Sequence, residues 1–158
     1  MYDVLDISRY IINYSNKHNY DISNLKLQKL LYFVQAYFLL TSKGKNLCFN
    51  NVIQAWDFGP VVPKAYHSFK RYGNLDIPPV IRYFEKNKDG SLSKHIFDEH
   101  CISKSDRRKI DDVIEQFKDY TASEMVELTH LQDPWKDAFV SHENNPIEPE
   151  AIARYFNE

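Results

Sequence analysis

Apolar side chains recur at helical spacing from the start of the chain. Val4, Ile7, Ile11 and Tyr14 step by three and four residues, and Asp3 stands where a side chain would cap a helix start. The spacing predicts a helix over 3–18, ended by the polar residues between Asn16 and Asn19. A second helix is predicted from Ser23 or Asn24 to Leu40. Leu27, Leu30, Leu31, Val34 and Phe38 form one stripe. Phe33, Tyr37 and Leu40 widen it to about half the circumference at ~100° per residue. A stripe that wide packs on two sides, so this is expected to be the central, buried helix. Its polar residues Gln28, Gln35, Lys26 and Lys29 fit either a solvated face or a polar seam within a partner groove.

Beyond a polar loop at Lys43-Gly44-Lys45-Asn46, Leu47 to Phe58 fits a short strand or an irregular aromatic layer. Gly59-Pro60 then fixes a corner, because Gly tolerates angles other residues avoid and Pro holds its own φ. Pro63 opens a third helix to Tyr72, with Tyr66 and Phe69 inward and Gly73 past its end. Ile77-Pro78-Pro79 blocks a helix. Val80–Phe84 and Leu92–Phe97 read as two strands around Asp89-Gly90. A fourth helix is predicted over Ser103–Tyr120, burying Ile110, Val113, Ile114 and Phe117. Thr121-Ala122-Ser123-Glu124 is a capping box that opens a fifth helix to His130. Asp133-Pro134-Trp135 starts a short helical turn, and Ile147–Phe156 closes the chain as a helix with Ile152, Tyr155 and Phe156 inward.

The expected fold is therefore mainly α: one compact helical domain over 1–158 around a central buried helix. Small irregular or β elements are expected near 47–58 and 79–97. With 158 residues, the chain is long enough to bury a core. Eleven Tyr, ten Phe and two Trp bring large packing area to it. A net charge of −2 does not favour nucleic acid or acidic membrane. No apolar run reaches membrane-spanning length. Met1-Tyr2-Asp3-Val4 lacks the basic-then-apolar order of a signal peptide, so a cytoplasmic protein is expected. Cys48 and Cys101 are then two buried thiols rather than a bridge.

Candidate chemistry is sparse. Trp56 and Phe58 with Gly59-Pro60 read first as a corner pinned into the core, with a contact surface around an aromatic anchor as the alternative. His130 near Asp133 suggests a base and its orienting acid, the basis of a small hydrolase, but no nucleophile motif accompanies them. A His at a helix C-terminus more simply satisfies carbonyls there. His95, Asp98, His100 and Cys101 match no standard zinc spacing, and a strand sends His95 and His100 to opposite faces. Lys104, Arg107, Arg108 and Lys109 read as a solvated helix face. With four Gly and no phosphate loop, no catalytic residue, metal or cofactor is expected.

Separated motifs agree with one family. Leu25-Lys26-Leu27-Gln28-Lys29-Leu30-Leu31-Tyr32-Phe33, then Ala55-Trp56, Phe58-Gly59-Pro60-Val61-Val62-Pro63 and Tyr66, resemble the Panacea domain of SocA-like antitoxins. Relatives are also labelled phage-associated proteins of the GepA type. Leu128-Thr129-His130, Pro134-Trp135 and Ile152-Ala153-Arg154-Tyr155-Phe156 look like the same family. The likeness runs from about Val4 to Phe156, with Phe58 standing where Tyr is commoner and no family motif in Ile77–Ile102. The resemblance implies a helical domain that neutralises a toxin by binding it, with no catalysis and with the toxin encoded next to it. Some relatives instead hand a toxin to a protease, which makes a cytoplasmic protease the alternative partner. With no room for an added DNA-binding module, direct nucleic-acid binding is not expected. Gln28, Lys29, Trp56, Phe58, Gly59, Pro60, Tyr66, Thr129, His130, Pro134 and Trp135 carry over as structural or partner-binding positions.

Overall fold

In the computed structural model, which describes residues 1–157, helix α1 (Val4–Lys17) begins at Asp3, whose carboxylate accepts from the Leu5 amide at 2.8 Å. Helix α2 (Asn24–Thr41) begins at Ser23, whose hydroxyl accepts from the Lys26 amide at 3.2 Å. Fourteen of its 18 residues are buried, more than the predicted half circumference. Helices α3 (Pro63–Phe69), α4 (Lys104–Gln116), α5 (Ala122–His130) and α7 (Pro149–Phe156) join α1 in packing around it. A helix covered on nearly all sides buries its few polar residues together with its apolar ones. The short helix α6 (Asp133–Ala138) packs on α7 and α5.

Strands β1 (Ile53–Trp56) and β2 (Gly59–Val61) form an antiparallel hairpin, and β5 (Pro146–Ile147) pairs with the other edge of β1. A second, separate hairpin joins β3 (Arg82–Lys86) and β4 (Leu92–Ile96), as the Asp89-Gly90 turn predicts. The fold class is the mainly α one read from the sequence. The differences lie at ends. Residues 70–72 form a tight 3₁₀ turn after α3, α4 stops at Gln116 rather than Tyr120, and Ile147 sits in β5. Ile147 is drawn into the sheet because Ile53 offers it a pairing partner, which leaves Pro149 at the first turn of α7. Tyr155 and Phe156 lie half-buried, while Ile152 alone in that helix is fully covered. Cys48 is buried as expected, but Cys101 is exposed. Its short 3₁₀ turn lies outside the core, so no layer covers it.

Candidate functional site

The polar residues predicted along α2 do not form a solvated face. Lys26, Gln28, Lys29 and Gln35 are all buried. Each meets backbone that has no regular partner of its own. Gln35 accepts from the amides of Cys48 (2.8 Å) and Phe49 (3.3 Å) and donates to the Phe49 carbonyl (2.9 Å). Lys26 donates to the Tyr120 carbonyl at 2.7 Å. Gln28 accepts from the Val62 amide at 3.0 Å and donates to Asn24 at 2.9 Å. Asn24 in turn donates to the Tyr66 carbonyl at 3.1 Å. Lys29 donates to the Pro60 carbonyl at 2.8 Å. Buried backbone groups must be satisfied, and the central helix supplies the partners that loops and hairpin ends lack. Among the described residues, no buried side-chain nitrogen or oxygen is without a hydrogen-bond partner.

Gly59 is where three elements meet. Its φ is +99°, in the region that favours glycine. A Cβ there would lie 2.7 Å from Lys29 Cε and 2.7 Å from Thr129 Oγ1. The hairpin backbone can therefore approach α2 and α5 only because residue 59 has no side chain. Thr129 is buried, with its hydroxyl donating to the Val126 carbonyl at 2.9 Å. Burial pushes the Lys29 ammonium down to a pKa of about 7. Desolvation is the whole cause.

The far side of the hairpin is held from α5 and α6. His130 Nε2–H donates to the Asp57 carbonyl at 3.0 Å, and Trp135 Nε1–H donates to the Trp56 carbonyl at 2.8 Å. The two rings stack on each other with centroids 4.0 Å apart. Buried Pro134 at the start of α6 sets the direction of Trp135. Trp56 donates to Gln54 at 2.9 Å and meets the Tyr66 ring edge-on at 5.0 Å. So the family-motif positions gather around the β1–β2 hairpin and the segment after it: His130 and Trp135 hold carbonyls of the turn, Lys29 holds Pro60 and Gln28 holds Val62. Phe58 makes none of these contacts. It is 67% exposed at the tip, which corrects the expectation that it pins the corner into the core. Trp56 is half-buried. With Asp57 and Phe58 as the two turn residues between paired Trp56 and Gly59, the turn directs residue 58 away from the brace.

Beside the tip lies an open groove of about 480 Å³, walled by Leu25, Trp56, Phe58, Tyr66 and His142. Asn24 and Gln28 reach its floor but are already hydrogen-bonded within the protein. The groove thus presents aromatic rings beside a braced backbone turn. His130 is committed to the Asp57 carbonyl, and Asp133 is exposed at the first position of α6. No hydrogen bond of the described residues joins them, so the base-and-orienter pairing is not formed. His95 lies 3.5 Å from Glu85 and His100 lies 2.8 Å from Asp98. No described group of three or more His, Cys, Asp or Glu side chains is placed to hold a metal.

Sequence reading missed Gln132 and Asn24. Tyr32 donates to Gln132 at 2.8 Å inside the core.

A helical shell around one buried helix thus braces a hairpin whose tip carries an exposed ring. The chain belongs to the SocA-like antitoxin family, Panacea domain, whose model matches residues 27–136. It is 36% identical over 115 residues to the protein named Antitoxin SocA of Caulobacter vibrioides (strain NA1000 / CB15N). That match covers 72% of this chain and 58% of the relative, so the chain spans less than two thirds of the relative's length. No solved structure matches it. Among the described residues, no helix is long and apolar enough to cross a membrane.

Proposed function

We propose that this protein is an antitoxin that neutralises a protein toxin by direct, non-catalytic binding, and that the Asp57–Phe58 tip contributes an anchor to the contact. The observation that carries the reading is the convergence of the family-motif residues on a braced turn that leaves Phe58 exposed. A turn held at Trp56 and Asp57 by Trp135 and His130, with Lys29 on the adjoining Pro60, loses little freedom on binding, and pre-organisation of that kind favours affinity. An exposed aromatic beside a groove is the residue type that dominates interface energetics. An interface of about 1,600 Å² in total covers a toxin's working surface without any reaction.

The toxin is taken to be the product of the adjacent gene. Co-expression tests the proposal: that gene alone arrests growth, and this protein restores it. Equal growth arrest with and without this protein overturns the reading. Toxin half-life separates masking from delivery to a protease. Masking leaves it unchanged or longer, and a shortened half-life transfers the function to an adaptor.

A further inference from the structure

The β3–β4 hairpin has two unlike faces. Pairing sets Arg82 against Ile96, Phe84 against Lys94 and Lys86 against Leu92. Opposed residues share a face of an antiparallel pair, and neighbours along a strand alternate. One face therefore carries Tyr83, His95, Glu85 and Ser93. It is turned to the protein: the Arg9 guanidinium lies 3.4 Å over the Tyr83 ring, and His95 stacks on Tyr83 at 5.2 Å. The other face carries Arg82, Phe84, Lys86, Leu92, Lys94 and Ile96. Nothing covers it. Phe84 is 63% exposed, Leu92 66% and Ile96 70%. The three cations are exposed too, and none makes an ion pair among the described residues. The acid within these strands, Glu85, lies on the opposite face. A chain of net charge −2 thus concentrates three positive charges and three bulky apolar side chains, and no negative charge, on one hairpin face.

We infer that this face is a second contact for the toxin, and that it receives an acidic, apolar segment of that protein. Apolar side chains of the segment cover Phe84, Leu92 and Ile96, while its carboxylates meet Arg82, Lys86 and Lys94. Lysines on a strand edge discourage self-pairing, but that role does not call for three exposed apolar side chains between them. A second copy of this chain fits poorly, since face-to-face docking opposes like charges. Nucleic acid fits poorly as well. Three cations release few counterions, and Leu92 and Ile96 gain nothing against phosphate. An anionic membrane offers the same mixture of charge and apolar cover, and vesicles therefore serve as the competing ligand in the test.

The inference rests on the toxin-binding reading, and its test keeps the two apart. The probe is the purified product of the adjacent gene, titrated by calorimetry against wild type, the triple variant Arg82→Glu/Lys86→Glu/Lys94→Glu, and Phe84→Ser. Circular dichroism and melting establish that each variant folds. Expected is a loss of affinity of about tenfold or more in each, with wild-type binding weakening as salt rises. Should the triple variant misfold, Phe84→Ser and the salt dependence of the wild-type complex decide. Wild-type binding with both variants within twofold overturns the surface and leaves the antitoxin reading standing. Failure of wild type to bind overturns both. Tighter binding of wild type to phosphatidylserine vesicles or a short DNA duplex than to the toxin reassigns the face to that ligand.

Discussion

Gly59→Ala puts the packing at the hairpin to a quantitative test. The substitution adds one methyl group at a φ of +99°, and a side chain in left-handed backbone costs about 1–2 kcal/mol. The methyl then meets Lys29 Cε and Thr129 Oγ1, each at 2.7 Å. Neither can swing away freely. Lys29 is tied to the Pro60 carbonyl at 2.8 Å and Thr129 to the Val126 carbonyl at 2.9 Å. Forcing one methyl into such a core adds about 1–3 kcal/mol. The sum, about 2–5 kcal/mol, is a large part of a stability of about 5–15 kcal/mol. At about 2–4 °C per kcal/mol for a chain of this size, melting falls by roughly 4–20 °C. Gly90→Ala is the control, with φ of +87° and nothing within 4 Å of the added carbon. It carries the backbone term alone. Urea titrations of the two variants isolate the packing term as their difference, about 1–3 kcal/mol. Equal losses in both would refute the claim that Gly59 exists to let the hairpin close on α2 and α5.

Three further outcomes follow from the same geometry. Between about pH 7 and the ordinary lysine value the unfolded chain binds a proton at Lys29 that the folded chain does not, so stability rises with pH. The slope is at most about 1.4 kcal/mol per pH unit and is clearest below pH 9.0, above which the buried Cys48 thiol opposes it. Urea midpoints across pH should rise in wild type and stay flat in Lys29→Met, and a flat wild-type profile counts against the burial of a lone ammonium. Phe58→Ala should leave unfolding within about 0.5 kcal/mol of wild type yet weaken toxin binding by about 2 kcal/mol, measured by calorimetry; a large stability loss places Phe58 in the core after all. Trp135→Phe keeps the ring but deletes the bond to the Trp56 carbonyl, and melting should fall by the equivalent of about 1–3 kcal/mol.

What could be read in advance divides along physical lines. Capping boxes and apolar stripes are local, so Thr121 to His130 and the core face of α4 were legible residue by residue. The β3–β4 hairpin was legible for the same reason, since Asp89-Gly90 dictates its turn. The fate of Gln28, Lys29 and Gln35 was not. A polar side chain is buried only where a partner waits for it, and for these three the distant partners are backbone groups of residues 48–49 and 60–62. The exposure of Phe58 was hidden similarly, because it follows from the register that pairs Trp56 with Gly59. The motif residues were recognisable together as a family. That they gather around the β1–β2 hairpin follows only once the fold brings α2, α5 and α6 around it.

On the proposed mechanism, neutralisation is binding and nothing more. Titrating the purified protein into a fixed amount of the adjacent gene's product, with toxin activity as the readout, tests it most directly. The expected result is inhibition that grows in proportion to added protein and is complete at a fixed stoichiometric ratio, with the two proteins eluting as one complex. Silencing of a large molar excess of toxin by a trace of this protein, or inhibition without any complex, would contradict it.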